Sequence, residues 1–159
     1  MDGYQNEFAT SHLGHALLVK LLLPLPKSTA AQPGSDVRIF KMTSIAYKQA
    51  LSNGIDFATL QTSQEKLGNR IVGPRWARYG ESKLKQLMYT REVARHHPDI
   101  TSVAIHPGYI MTGLFDDLPF MTGKAVMVMS LGKKTKIEEG HYHQVMAATC
   151  DKKWLKNGA

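Results

Sequence analysis

The chain has 159 residues, 43% apolar and 21% charged, with a net charge of +7. That length suits one domain with a sizeable core (residues 1–159) and is short for two, and the composition excludes a disordered or membrane-embedded class. The positive charge gathers at Lys133, Lys134 and Lys136 and at Lys152, Lys153 and Lys156 without a recognisable nucleic-acid motif, so solvated turns and helix ends account for it, with no nucleic acid as partner.

From Asn6 to Leu23, Phe8, Leu13, Ala16, Leu17, Val19, Leu21 and Leu22 recur at spacings near three and four, the period of a helix. Pro24 and Pro26 are expected to end it, and Lys20 and Pro24 break its apolar run well short of the ~20 residues of a membrane span. The residues before it are polar and acidic where a secretory signal would be basic. A loop carrying Lys27, Ser28, Gln32, Pro33 and Gly34 follows. After the turn signal Gly34-Ser35-Asp36, Val37–Met42 reads as a short buried strand, with Thr43 and Ser44 at its C-terminal end.

Residues 45–75 hold no sustained period and contain Gly54, Gly68, Gly73 and Pro74, which predicts a long excursion with one short helix near Ser63–Gly68. Trp76–His97 is the strongest helix: Leu84, Leu87, Met88, Arg91 and Ala94 keep the rhythm and Pro98 stops it. Thr101–His106 is a second short strand, broken by Pro107-Gly108. Leu114–Leu131 is methionine-rich (Met121, Met127, Met129) and reads as core filler. A final amphipathic helix is expected over Ile137–Cys150, begun by Glu138 and Glu139. Cys150, the single cysteine, has no internal disulfide partner and reads as a small core residue in a reducing, cytoplasmic compartment. The order helix, strand, helix, strand, helix predicts a parallel, layered α/β fold.

Chemistry concentrates in Tyr79-Gly80-Glu81-Ser82-Lys83, where a phenol and an ammonium four residues apart share one helix face. A free tyrosine, with its pKa near ~10, exchanges protons poorly at neutral pH; an adjacent cation favours the phenolate. The motif alone is common in helices. Here a serine, Ser44, ends the strand upstream, where its hydroxyl can meet a substrate carbonyl, and His106-Pro107-Gly108-Tyr109-Ile110-Met111-Thr112 follows the strand downstream. The histidine pairs His12/His15 and His141/His143 have no third ligand and read as packing or surface residues, with no metal site.

This ordered set resembles the short-chain dehydrogenase/reductase superfamily, whose pattern is a serine after a central strand, Tyr-x-x-x-Lys on the next helix and Pro-Gly-x-(Val/Ile)-x-Thr after the next strand. Asp2-Gly3-Tyr4, the run His12–Leu18 and Glu138-Glu139-Gly140 are most similar to its retinol-dehydrogenase and WW-domain-oxidoreductase branch, fungal relatives included. The resemblance implies a partial Rossmann-like parallel sheet with flanking helices. It also implies Tyr79 as acid/base, Lys83 as the group that lowers its pKa and binds the nicotinamide ribose, and Ser44 as the group orienting the carbonyl. Pro107, Gly108, Ile110 and Thr112 would border the nicotinamide of NADP or NAD, and residues 114–131 would cover substrate.

The pattern departs from the family at two places. The fourth catalytic residue, an asparagine in the opening helix, is matched by Ser11, whose shorter hydroxyl reaches less far. The Gly-x-x-x-Gly-x-Gly turn that seats a pyrophosphate on a helix N-terminus has no counterpart in the sequence, so the chain is expected to be a truncated domain lacking the nucleotide-binding half. Its open sheet edge is to be covered by a second copy, a partner chain or rearranged helices, a homodimer or other oligomer through the helices around Leu17 and Leu84 being the expected form. The implied function is oxidation or reduction of a hydrophobic small molecule, as in secondary metabolism. The alternatives are a cofactor-independent isomerase, dehydratase or cyclase using Tyr79, with no nucleotide at all, and a non-catalytic interaction subunit.

Overall fold

The computed structural model describes residues 3–50, 54–68, 73–110 and 134–159. Its first helical stretch begins with α1 (Asn6–Phe8), widens into a π-helical turn over Ala9–Leu13 and continues as α2 (Gly14–Leu22). α2 ends ahead of Pro24, as the sequence suggested, but a further helix rather than a loop follows, α3 (Pro24–Ala30), at a bend of 50°. Pro24 stands in the first turn of α3, where a missing N–H costs nothing and the fixed φ suits a helix. Lys27 and Ser28, expected in a loop, are therefore helical, and the hydroxyls of Ser28 and Thr29 both donate to the Leu25 carbonyl. No single helix among the described residues is long and apolar enough to cross a membrane.

Strand β1 (Arg38–Met42) pairs in parallel with β2 (Thr101–Ile105), from Arg38 opposite Thr101 to Met42 opposite Ile105. Between them run two short 3-10 turns, Ile45–Gln49 and Phe57–Thr59, and α4 (Gly73–His96). The short helix expected near Ser63–Gly68 does not form. Gln64 takes a left-handed φ of 50° there, and the Thr62 hydroxyl accepts its N–H. A two-residue parallel pair not foreseen from the sequence, β3 (Tyr109–Ile110) with β4 (Lys134–Thr135), leads to α5 (Tyr142–Thr149). Arg38 fixes the end of α5, its guanidinium donating to the carbonyls of Ala147 and Cys150, each at 2.7 Å, while pairing with Asp36. Cys150 is half-buried there rather than in the core. The far edge of β2 is not open, because Gly158 N–H donates to the Ser102 carbonyl and Ala104 N–H to the Ala159 carbonyl, both at 2.8 Å. The order helix, strand, helix, strand, helix holds as a small Rossmann-like parallel sheet with flanking helices.

Among the described residues the apolar core is small, with Ile100, Ile105 and Val93 where α4 meets β2, Ala77 against Gly68, and Phe8, Leu60 and Leu67 also buried. The inward face of α4 is mostly polar: Glu81, Ser82, Lys85, Gln86 and Thr90 are buried, whereas Leu84 and Leu87 are only half-buried and Met88 is exposed. β1 is likewise less buried than expected, and its one fully buried residue is Lys41, whose ammonium sits 4.2 Å from the Tyr89 ring centroid. Burial pushes the Lys41 pKa down to about 8. His12 stacks on Phe8 and meets Tyr89 edge-on.

Burial first, then the nearby Lys41, Lys85 and His15, lowers the His12 pKa from 6.5 to about 4. The unfolded chain thus binds this proton more readily than the folded one between those values, and stability falls as pH drops from 6.5 to 4. With the ring partly solvated, a loss of about 1–2 kcal/mol is expected over that range. His12→Phe, which keeps the stack, should flatten this part of the urea-midpoint profile; an unchanged acid slope would place the titrating group elsewhere.

Candidate active site

Ser44 leaves β1 in an extended conformation and caps the turn Ile45–Gln49, its hydroxyl oxygen accepting the Ala46 N–H at 3.2 Å. With one lone pair so engaged, the hydroxyl's own proton is left to donate outward. Thr43, just before it, ties three elements together. Its N–H donates to the Ile105 carbonyl at 2.9 Å, joining the ends of β1 and β2, and its hydroxyl donates to the Lys83 carbonyl at 2.9 Å, joining them to α4. Sequence reasoning gave Thr43 no role, since a backbone-directed hydroxyl leaves no pattern to read.

Tyr79 and Lys83 lie one turn apart on α4, with the Lys83 ammonium 5.4 Å from the Tyr79 ring centroid. That range permits a cation–π attraction. Both side chains are half-buried, and burial lowers the Lys83 pKa. The turn carrying Tyr79 meets the turn that Ser44 begins through Gly80: a Cβ built there would lie 2.6 Å from the Ala46 carbonyl oxygen and 2.8 Å from the Ala50 nitrogen. Only a residue without a side chain allows the two backbones this approach. Trp76 packs edge-on against Tyr79 from the preceding turn, at 6.1 Å between centroids.

Pro107 and Gly108 follow β2 at the same C-terminal edge of the sheet, the edge where open parallel sheets take ligands. Gly108 has a φ of +91°, and a Cβ there would stand 2.9 Å from the Thr135 hydroxyl, so β4 closes directly over this turn. Ile110 faces Gly140. Thr112 and the stretch Leu114–Leu131 with Met121, Met127 and Met129 lie outside the described residues. Ser11 sits in the π-helical turn, and its carbonyl accepts a hydrogen bond from the Gln86 side-chain amide. The structure therefore brings Ser44, Tyr79 and Lys83 to one sheet edge, sets Pro107 and Gly108 along that edge, and links Ser11 to α4 through Gln86.

No family model matches the chain. Curated relatives do. An uncharacterized oxidoreductase of Schizosaccharomyces pombe is 42% identical over 117 residues, covering 71% of this chain and 32% of that protein. A short-chain dehydrogenase/reductase of Colletotrichum higginsianum is 35% identical over 141 residues, 80% of this chain and 34% of that protein. Retinol dehydrogenase 12 of Mus musculus is 35% identical over 113 residues, 70% of this chain and 31% of that protein. The chain thus spans about a third of the length of these relatives. Their likeness extends over most of the chain, including the helix of Tyr79 and Lys83, and agrees with the parallel sheet that carries Ser44 at its edge. The chain belongs to the short-chain dehydrogenase/reductase family.

Proposed function

We propose that this chain supplies the acid/base and carbonyl-orienting groups of an oxidoreductase that interconverts a carbonyl and an alcohol on a hydrophobic small molecule with NADP(H) or NAD(H). The observation that carries the reading is the placing of the Lys83 ammonium over the Tyr79 ring, on a helix face pressed against the turn that Ser44 opens. The Ser44 hydroxyl, already accepting from Ala46, donates to the substrate carbonyl oxygen and holds it in place. In the reducing direction the Tyr79 hydroxyl gives its proton to that oxygen as it gains negative charge; in the oxidising direction the phenolate takes the proton back. Lys83 stabilises the phenolate through its charge, and its side chain with that of Tyr79 offers donors suited to a ribose diol. These donor types fit a nicotinamide nucleotide, which when bound exchanges the hydride; Lys83 and Tyr79 would hold its ribose, and Pro107, Gly108, Ile110 and Thr112 would border its nicotinamide.

Tyr79→Phe removes only the exchangeable proton, so it is expected to lower nicotinamide-linked turnover by at least ~10²-fold, as loss of a general acid does, with the urea midpoint unchanged. Turnover within twofold of the native chain would reject the assignment.

We infer further that a second copy covers the outward leucines of α2 and α3: Leu17, Leu18, Leu21, Leu22 and Leu25 are all more than half exposed, and the half-buried Leu84 and Leu87 with exposed Met88 add an apolar strip on α4. A patch of this kind is rarely left in water, and a two-fold contact between like helices satisfies it. Sedimentation at low micromolar concentration should give a dimer that Leu21→Glu dissociates; a sharp monomer for the native chain would refute the contact.

A further inference from the structure

Along the stripe of α4 that carries the candidate acid/base pair, the spacing continues. Tyr79, Lys83 and Gln86 follow one another at four and three residues, so Gln86 stands one turn beyond Lys83 on the same side. Gln86 is only 1% exposed, and its buried amide is committed in one direction. Its nitrogen donates to the Ser11 carbonyl and lies 3.1 Å from Nδ1 of His15, whereas its oxygen is buried with no hydrogen-bond partner. An amide that leaves its acceptor unpaired in order to aim its donor is an uncommon expense in a protein interior.

The segment it reaches is unusual as well. Ala9–Leu13 is a π-helical turn closed by the Gly14 N–H donating to the Ala9 carbonyl, five residues back. Such turns are rare, interrupt the regular i to i−4 ladder and recur at functional sites. Ser11 is the middle residue of this turn. Thr43 ties the same part of α4 to the sheet edge through the Lys83 carbonyl, so the Gln86 amide completes a line running from the sheet edge through α4 to the Ser11 peptide.

We propose that Gln86 is a positioning residue, holding the π-helical turn so that the Ser11 peptide keeps a fixed place beside the Tyr79–Lys83 face. The kinetic part of this role rests on the oxidoreductase reading above; the structural part does not. The donor is what matters: leucine at position 86 fills the space without donating, and a glutamate donates only when its carboxyl is protonated.

Hydrogen–deuterium exchange on the full 159-residue chain tests the hold directly. In Gln86→Leu, the amides of residues 9–16 are expected to exchange at least ~10-fold faster than in the native chain, with those of α4 from Ser82 to Val93 within twofold. In Gln86→Glu the same acceleration is expected at pH 8. At pH 5.5, after correction for intrinsic rates and against the native chain at that pH, at least half of the protection should return. The pH rescue decides the matter even if the leucine variant folds poorly. Native-like exchange of residues 9–16 in both variants at pH 8, or no rescue of the glutamate variant at the lower pH, would overturn the proposal. In turnover with a nicotinamide nucleotide, kcat should fall at least tenfold while KM for the nucleotide stays within twofold; faster exchange with an unchanged kcat would also overturn the positioning role. A native chain without turnover would reject the oxidoreductase reading, and the exchange result would then decide the Gln86 hold by itself.

Discussion

Gly80→Ala is expected to destabilise the protein by about 1–3 kcal/mol, and Gly80→Val by more, although the same change raises helix propensity. At an exposed helix position, glycine to alanine is worth up to ~1 kcal/mol in favour of the fold. Here the new methyl would lie 2.6 Å from the Ala46 oxygen, 2.8 Å from the Ala50 nitrogen and 3.0 Å from the Gln49 carbonyl carbon, all of them backbone atoms that no rotamer change can move aside. Overpacking of that kind costs ~1–3 kcal/mol and sometimes more, which outweighs the propensity gain. Gly14 is the internal control. It is helical, with φ near −59°, and a Cβ there would meet only the Ala9 oxygen at an ordinary 3.6 Å. Gly14→Ala should therefore stabilise by ~0.5–1 kcal/mol. Urea unfolding of the two variants should move in opposite directions. A Gly80→Ala midpoint at or above the native one would mean that α4 does not press on the turn after Ser44 in solution.

The same residue shows what could be read in advance. The stretch Tyr79-Gly80-Glu81-Ser82-Lys83 announced the acid/base pair because side-chain chemistry at a fixed spacing is visible in one dimension, and the two strands announced themselves by β-branched runs between turn signals. The inward face of α4 was not legible. Leu84, Leu87 and Met88 set the apolar rhythm, yet the helix buries Glu81, Lys85, Gln86 and Thr90. Periodicity identifies which stripe is apolar; it cannot tell that the polar stripe has found partners 17 to 75 residues away, as Glu81 has in Gln64 and Gln86 in Ser11. Pro24 ended α2 as expected, but the helix it opens was not legible, since a proline is equally at home in the first turn of the next helix. The pair β3 and β4, two residues each, is too short to show any period.

That buried polar stripe also sets the second large effect. Glu81→Ala is expected to cost about 3–5 kcal/mol, the range for removing one partner of a buried ion pair. Glu81 is 1% exposed, accepts from two donors, the Asp56 N–H at 2.6 Å and the Gln64 amide at 3.2 Å, and forms an ion pair with the Lys85 ammonium at 3.3 Å. Its loss strands the Asp56 N–H and the Lys85 ammonium, while the Gln64 amide keeps the Thr59 hydroxyl, and Lys85 suffers most, because burial already lowers its pKa and Glu81 is the main group opposing that shift. The ammonium would keep the Phe8 ring, 4.2 Å from its centroid, and the more distant charge of Asp56. Lys85→Met should cost less, since Glu81 would keep its two other donors and a methionine fills the space of the lysine stem. The double change, Glu81→Leu with Lys85→Met, should recover much of the loss of Glu81→Leu alone, as replacing both members of a buried pair by apolar residues often does. Denaturant unfolding of the cycle measures this. If Glu81→Ala costs under 1 kcal/mol, the carboxylate is not what holds residues 54–68 against α4, and the excursion that carries Asp56 and Gln64 must be secured by Leu60 and Leu67 instead.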